Sequence, residues 1–487
     1  MIKLKYHILY IALLFGGAMC FSQERFNLTI DDSLSQGGIT IKQTAQGYEV
    51  GNLNVFGGGL YKPQLYYLDE MGTHLSTDSL AQYEKLTVSI FKFLNKYIVS
   101  GWKDSSSIIT SNPKPYLLYY GPTNDTLWTY HDKSFPDQAN YYNPVYSDSG
   151  YFMIAGNYVK ASGKIDVFVS KFDTLGNQIW SKKIDYGIGS SQMRNMCLTS
   201  DGGIVLAGGS SSWGSGVSTG QYNNHIRKLD GNGDLAWHHW WTHTEGVVGF
   251  STIFNDSTII FYGANKLDGN NADLFISKLS LDGTQIWDTT YQLSPFDDSP
   301  SSVLVLQDGS YLVAGSYEEA LNADFKGFLI KVNPANEIVW KRIYSIRNSD
   351  QYFRDLIQTS DGGYALTGFV FSDGTPGVTQ DVWVVKVDSM GCDVPLCYLG
   401  ERELGLELPI LKCYPNPTST FLTIELLENS REIQLYNSAG ILQKKLEIEN
   451  NQKELKLDLS LFPHDIYILR VLDKNDVTIG QGKIVKK

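Results

Sequence analysis

Asp361-Gly-Gly-Tyr-Ala-Leu-Thr-Gly368 decides the fold of this chain, because the pattern returns at intervals along it. Close copies are Asp308-Gly-Ser-Tyr-Leu-Val-Ala-Gly315, Asp201-Gly-Gly-Ile-Val-Leu-Ala-Gly208 and Asp148-Ser-Gly-Tyr-Phe-Met-Ile-Ala-Gly156. Weaker copies end at Gly51, Gly101 and Gly263, so the seven closing glycines set a period of 50 to 55 residues. A second motif keeps step with the first. It reads Asp173-Thr-Leu-Gly-Asn-Gln-Ile-Trp180, then Asp230 to Trp237, Ser280 to Trp287 and Asn333 to Trp340, with a degenerate copy from Gly121 to Trp128. The last copy stops at Asp388-Ser-Met-Gly391.

Each repeat reads as four short strands. An apolar strand such as Asp355 to Gln358 meets the Asp-Gly-Gly turn, whose glycines are expected to supply the positive φ of a tight turn. A strand such as Tyr364 to Gly368 follows, then a polar loop, then a β-branched run such as Val382 to Val387. The Asp-x-x-Gly turn leads into an outer strand that carries Trp. Four strands per unit at this period predict an all-β chain whose repeats form a seven-bladed β-propeller. The seventh unit lacks its outer strand, because a cysteine loop stands in its place. Arg25-Phe-Asn-Leu-Thr-Ile30 has strand composition and is expected to supply that strand, clasping the ring and removing an exposed edge.

The composition agrees with a large folded chain. Its 487 residues carry 46 Gly, 30 Tyr, 22 Phe and 10 Trp, with 19% charged residues, which excludes a disordered polymer. A formal charge of −12 argues against nucleic acid as partner, since neutralising phosphates takes a surplus of Lys and Arg.

Residues 1–22 read as a signal peptide: Lys3 and Lys5 precede the apolar run Ile8 to Phe15, with cleavage expected after Ser22. Lipid attachment at Cys20 competes, but Met19 is large where such signals want a small residue. No later segment has 18 consecutive apolar residues, so no transmembrane helix is expected. In an oxidising compartment Cys392 and Cys397, with four residues between them in a turn-like loop, are the best candidates for a local disulfide. Metal binding by this pair is the weaker reading, because zinc sites usually need a second close pair.

After a linker at 398–412, a different rhythm begins. Residues 413–487 show alternating runs such as Glu432-Ile-Gln-Leu-Tyr436 and Leu455-Lys-Leu-Asp-Leu459, which predict a small Ig-like antiparallel sandwich. Tyr414-Pro415-Asn416-Pro417 at its start, Tyr467 in Ile466-Tyr-Ile-Leu-Arg470, and Lys483-Ile484-Val485 at its end resemble the type A C-terminal sorting domain of the type IX (Por) secretion system. The 23–397 repeats likewise resemble those of secreted propellers of Bacteroidota. The sorting resemblance implies Sec export through the periplasm and recognition by an outer-membrane translocon. It also implies removal by a sortase-like protease, with release or attachment at the cell surface.

Motifs for catalysis and for cofactors are missing from the sequence: it has no His-Glu-x-x-His, Gly-x-Ser-x-Gly, phosphate loop or Cys-x-x-Cys, so no cofactor is expected. His225, His238, His239 and His243 cluster in sequence, yet His239 and His243 would lie about 13 Å apart on a continuing strand, too far for one ion. Asp230-Gly-Asn-Gly-Asp234 opens like a calcium loop, but Leu235 and Trp241 occupy the positions that need Gly and Glu, so a hairpin turn is preferred. Arg194 and Arg354 fall at equivalent places on innermost strands, and Tyr141 takes that place in the third repeat. With Trp213, His243 and Glu245 of the fourth repeat they are the candidate ligand-binding residues, since aromatic rings beside Arg suit a sugar or an anion. Packing between repeats is the competing role for the arginines. The leading functional reading is a non-catalytic secreted or cell-surface propeller that binds a glycan or protein. An extracellular polysaccharide hydrolase or lyase, acting at the channel mouth, is the alternative.

Overall fold

The computed structural model describes the chain from Gln23 to Lys487, apart from 32–34, 57–59, 81–86, 94–95, 104–113, 122–125, 133, 136–138, 142–143, 185–189, 211–222, 242–244, 255–257, 267–270, 375–378, 395–396, 398–410, 428, 438–441, 450–451 and 475–477. The expected signal peptide and most of the expected linker thus lie outside the described residues. Among the described residues the structure is all-β, with no α-helix, and no helix is long and apolar enough to cross a membrane.

Seven antiparallel sheets follow one another along residues 26–387. The first holds Ser35–Thr44, Gly47–Phe56, Leu60–Leu68 and His74–Ser79. The second holds Thr87–Phe93, Lys96–Lys103, Lys114–Tyr120 and Thr126–His131. In the third, Ala139–Tyr141 and Val145–Ser147 share the first position before Tyr151–Val159, Ile165–Asp173 and Gln178–Ile184. The fourth holds Ser191–Leu198, Ile204–Ser210, Asn223–Leu229 and Leu235–Trp240. The fifth holds Glu245–Phe254, Thr258–Lys266, Asp273–Ser280 and Gln285–Tyr291. The sixth holds Asp298–Val305, Tyr311–Glu318, Phe325–Val332 and Ile338–Tyr344. The seventh runs Gln351–Gln358, Tyr364–Val370, Asp381–Val387 and then back to Phe26–Ile30. The first strands of sheets four to seven pack each on the next, and Ser35–Thr44 packs on the first three strands of sheet seven.

The turn glycines divide into two physical classes. Gly362 has φ +82°, the left-handed value that only Gly adopts cheaply. Gly363 serves a different purpose: a Cβ there would lie 2.3 Å from the Val387 carbonyl oxygen. The expectation that both glycines set the turn's dihedral is corrected accordingly. The closing glycine is also a close approach. A Cβ at Gly368 would lie 1.8 Å from the Tyr352 carbonyl oxygen, because the first strand bulges there, between Phe353 and Asp355. The same bulge recurs between Met193 and Asn195 and between Pro300 and Ser302.

The Asp-x-x-Gly turn is held by its own carboxylate. Asp173 Oδ1 accepts from the Leu175 and Asn177 amides at 2.9 and 2.8 Å. Asp69 does the same for Met71 and Thr73 in the first sheet, a copy hidden in the sequence because no Trp follows it. In the fourth strands Trp180, Trp237, Trp287 and Trp340 stand opposite Lys171, Lys228, Lys278 and Lys331. Trp128, Trp180, Trp237 and Trp340 lie against Gly176, Gly233, Gly283 and Gly391 of the following repeat's turn, where a Cβ would come within 2.6 to 2.9 Å of the indole. In sheet seven the strand Phe26–Ile30 pairs with Asp381–Val387, as the sequence led us to expect, and Phe26 stands opposite Lys386. Phe26 therefore occupies the Trp register.

Residues 411–487 form two further sheets. One orders Cys413–Tyr414, Phe421–Glu425 and Glu454–Asp458; the other orders Leu442–Glu447, Glu432–Tyr436, Asp465–Leu472 and Thr478–Lys486. Alternate residues Leu422, Ile424, Ile433, Leu435, Leu469, Val471 and Ile484 are buried in one core with Tyr467. Each such side chain removed from water is worth roughly 1.5–3 kcal/mol.

Candidate functional site

Arg354 is the residue from which a site can be built. It is the extra residue of the bulge in Gln351–Gln358, so it leaves the ladder, and its side chain is exposed. Its guanidinium carbon lies 5.1 Å from the centroid of Phe369. Phe369 stands opposite Tyr352 on the neighbouring strand, with ring centroids 5.4 Å apart. Phe371, two residues on, lies 5.5 Å from Phe369 and 6.1 Å from Tyr352, both edge to face, and is 41% exposed. From sheet six, Phe325 stacks on Tyr352 at 5.3 Å.

Hydrogen bonds fix this ledge. The Phe371 amide donates to the Asp350 carbonyl and the Phe325 amide to Asp350 Oδ1, both at 2.9 Å, so one residue ties the rings of two sheets together. Burial, with the charge of Asp350 adding, pushes the Tyr352 hydroxyl up to about 12, so it stays protonated and able to donate. Next to Arg354, Asp355 Oδ2 accepts from the Ile41 amide at 2.9 Å and Thr40 Oγ1 at 3.1 Å. Asp355 thus joins sheet seven to sheet one. Partly exposed ring faces beside a guanidinium can take the apolar face of a sugar together with a carboxylate or hydroxyl group.

The other sequence candidates separate from this ledge. Tyr141 is a correction: it is fully buried, its ring 5.2 Å from Phe168, and its hydroxyl donates to Ser170 Oγ at 3.3 Å. Full burial beside Phe168, with the hydroxyl held by Ser170, makes it a core residue. Arg194 takes the same bulge position in sheet four that Arg354 takes in sheet seven, but its side chain lies outside the described residues. Glu245 opens its strand opposite Lys266, and its side chain is likewise outside them. Trp213 and His243 fall outside them altogether. Tyr352, Phe369, Phe371 and Phe325 were missed. The available signal was an aromatic at alternate positions, Phe369 and Phe371, just after a closing glycine.

Cys392 and Cys397 are joined as a disulfide with Cα atoms 5.4 Å apart. His225 is buried, and loss of water around the ring pulls its pKa down to about 3, so it is neutral. Among the described residues no three His, Cys, Asp or Glu side chains group closely enough to hold a metal. Asp230 caps a hairpin turn by accepting from the Asn232 and Asp234 amides.

In the C-terminal unit the sorting-motif residues split by environment. Tyr467 and Ile484 are buried, Val485 is half-buried, and Tyr414, Pro415, Asn416, Pro417 and Lys483 are exposed. Asn416 joins the two motifs: its Nδ2 donates to the Lys483 carbonyl at 2.6 Å, and its Oδ1 accepts from the Val485 amide at 2.8 Å.

A family described as a secretion system C-terminal sorting domain matches residues 412–487. This match supports a type IX sorting tail, which indicates export to the cell surface or the medium. No curated protein matches the sequence. Among solved structures, PorZ of Porphyromonas gingivalis, a surface component of the type IX secretion system, is similar at 10% identity and TM-score 0.36, over 91% of this chain and 69% of that one. A eukaryotic initiation factor is similar at 11% identity and TM-score 0.32, over 87% of this chain and 98% of that one. An apocarotenoid oxygenase mutant of Synechocystis is similar at 13% identity and TM-score 0.38, over 62% of this chain and 71% of that one. None of these likenesses bears on activity.

Proposed function

We propose that residues 23–397 are a closed seven-bladed β-propeller, that 398–412 is a linker, and that 413–487 is an Ig-like sorting module. In this reading residues 1–22 direct Sec export into the periplasm of a Bacteroidota cell, the translocon carries the cargo outward, and a sortase-like protease removes the module. The run of seven sheets, the packing of Ser35–Thr44 on sheet seven and the Trp register of Phe26 support the ring.

The exported ring is a non-catalytic binding module for an extracellular glycan. One observation carries this: exposed Arg354 lies over Phe369 in a ledge with Tyr352 and Phe371. Such a ledge orients a flat ligand by its apolar face and anchors one acidic or hydroxyl group. The test is a glycan array on purified protein, with product analysis of every bound polysaccharide. Binding of an acidic glycan, weakened in Arg354→Ala and in Phe371→Ala, supports the reading. Binding untouched by both substitutions, or shortened products, counts against it.

A further inference from the structure

The ledge at Arg354 is set in an acidic rim. Glu318 stands opposite Phe325 on the neighbouring strand, so its side chain leaves the sheet on the same face as that ring. Asp324 directly precedes Phe325, and Asp373 lies just beyond Phe371; both are exposed, whereas Glu318 and Asp350 are half-buried. Asp350 gives Oδ1 to the Phe325 amide at 2.9 Å, which holds its carboxylate beside the Phe325–Tyr352 stack. Burial first, and then the charges of Asp350 and Glu318, raise the pKa of the Tyr352 hydroxyl, so both carboxylates act on the middle of the ledge.

Positive charge is scarce at this place. Among the described residues nearby, Lys326 is paired with Glu319 and Arg347 with Asp381, and Arg354, its guanidinium over Phe369, is the cation that a ligand meets. A carboxylate brought onto Arg354 gains an opposite charge at close range. A further anionic group on an adjoining sugar lands against Glu318, Asp324 or Asp373, and like charges set side by side reject a ligand more firmly than missing contacts do. Uncharged sugars suit those positions, because ionised carboxylates accept hydrogen bonds from hydroxyl and amide groups.

We propose that the ligand of this ledge is a glycan of sparse charge: a carboxylate-bearing sugar held by Arg354 and flanked by uncharged sugars whose hydroxyl groups meet the acidic rim. Polyuronates and densely sulfated chains are turned away by the same rim. The proposal rests on the glycan reading of the ledge and names its ligand class. Arg354 is the contact for the single acid, and Glu318 and Asp324 are the specificity-determining residues.

The experiment measures binding of the purified full chain to hyaluronan, whose carboxylates are isolated, to its methyl ester, in which they are neutralised, and to sulfated hyaluronan, in which charge is dense. Hyaluronan is expected to bind about tenfold tighter than either derivative, the ester losing the Arg354 contact and the sulfated chain meeting the rim. Glu318→Gln with Asp324→Asn keeps acceptor oxygens and removes the charges. It is expected to raise affinity for the sulfated polymer about tenfold, a gain that misfolding cannot produce. Sulfated hyaluronan bound by the parent as tightly as hyaluronan, or unaffected by the double variant, overturns the proposal. If Phe371→Ala still weakens that binding, the ledge stands as a glycan site of another class. Failure of all three polymers to bind overturns the proposal for its ligand class, and the glycan array decides the wider reading separately.

Discussion

Phe26 lies beneath Gly72: a Cβ placed on that glycine would come 2.8 Å from the Phe26 ring, just as one on Gly391 would come 2.8 Å from the Trp340 ring. A strand from the start of the chain thus reproduces the ring-on-turn contact that Trp makes between other repeats. Gly72 has φ +84°, so Ala there meets both backbone strain and a steric clash. Gly72→Ala and Phe26→Ala are each expected to destabilise residues 23–397 by about 2–4 kcal/mol. Phe26→Trp is expected to be tolerated best. Thermal unfolding checks the order, and a silent Phe26→Ala would remove the claim that this contact closes the structure.

Lys386 Nζ donates to Asp361 Oδ2 at 2.9 Å while its side chain is only 1% exposed. Loss of water holds the ammonium below the usual lysine range even with Asp361 beside it. Removing the acid leaves a buried cation uncompensated, so Asp361→Ala should cost about 2–4 kcal/mol, discounted because Asp361 is partly solvated. Lys386→Met fills the space without a charge and should cost less. Denaturant titration of both variants gives the ranking, and the reverse order would contradict a buried, desolvated pair.

Asp298 is fully buried and accepts from the Leu293 amide at 2.8 Å and Ser294 Oγ at 3.2 Å. Burial, with Asp273 adding, lifts its pKa to about 7. An unfolded Asp titrates near ~3.9, so the folded state binds the proton more tightly between these values. Its contribution is complete below about pH 4 and is lost as pH rises through 7. Asp201 has the opposite sign. Burial pushes it up, yet hydrogen bonds from Lys228, Thr199 and Gly203 hold it down to about 2, so its contribution is present above about pH 4 and is lost as pH falls toward 2. Melting temperature between pH 5 and 8 should fall less in Asp298→Asn than in the parent, and parallel slopes would show that Asp298 is not the source.

Phe371 is 41% exposed, so its truncation should cost little stability. In binding, Phe371→Ala and Arg354→Ala should each weaken an acidic glycan about tenfold, the ring by lost stacking and the arginine by lost charge. Raising the salt should weaken parent and Phe371→Ala alike while leaving Arg354→Ala nearly unchanged. Isothermal titration at two ionic strengths distinguishes the contributions.

The Cys392–Cys397 bridge closes a loop of sequence separation 5. So short a loop restricts the unfolded chain modestly, and Cys392→Ser with Cys397→Ser should cost about 2 kcal/mol. Unfolding midpoints with and without reductant measure it; the double variant should be insensitive to reductant.

The repeat was legible because turn chemistry is written in residue identity: Asp361, Gly362 and the Trp that follows five of the second turns are visible one by one. The pairing of Phe26–Ile30 with sheet seven was legible because only strand composition and a missing strand were needed, but its register was not, since a different aromatic stands where the other repeats have Trp. Tyr141 was misread because equivalence of position does not decide burial, and Phe168 fills the space around it. The ledge at Arg354 escaped notice because Phe325, Tyr352, Phe369 and Phe371 come from three strands of two sheets. In the C-terminal unit the alternation predicted the strands closely, whereas the clamp from Asn416 to Lys483 and Val485 joins residues 67 and 69 positions apart, a distance no periodicity spans.

Arg25, which precedes Phe26, binds Asp388 at 2.8 Å across 363 residues of sequence. Contacts of that separation come late and slowly in folding. During synthesis the strand Phe26–Ile30 emerges first and has no strand to pair with until Asp381–Val387 follows, nearly 390 residues into the chain. A chain broken off before that point can build individual sheets but cannot pair Phe26–Ile30, so completion of sheet seven reports that the polypeptide has been made through Asp388.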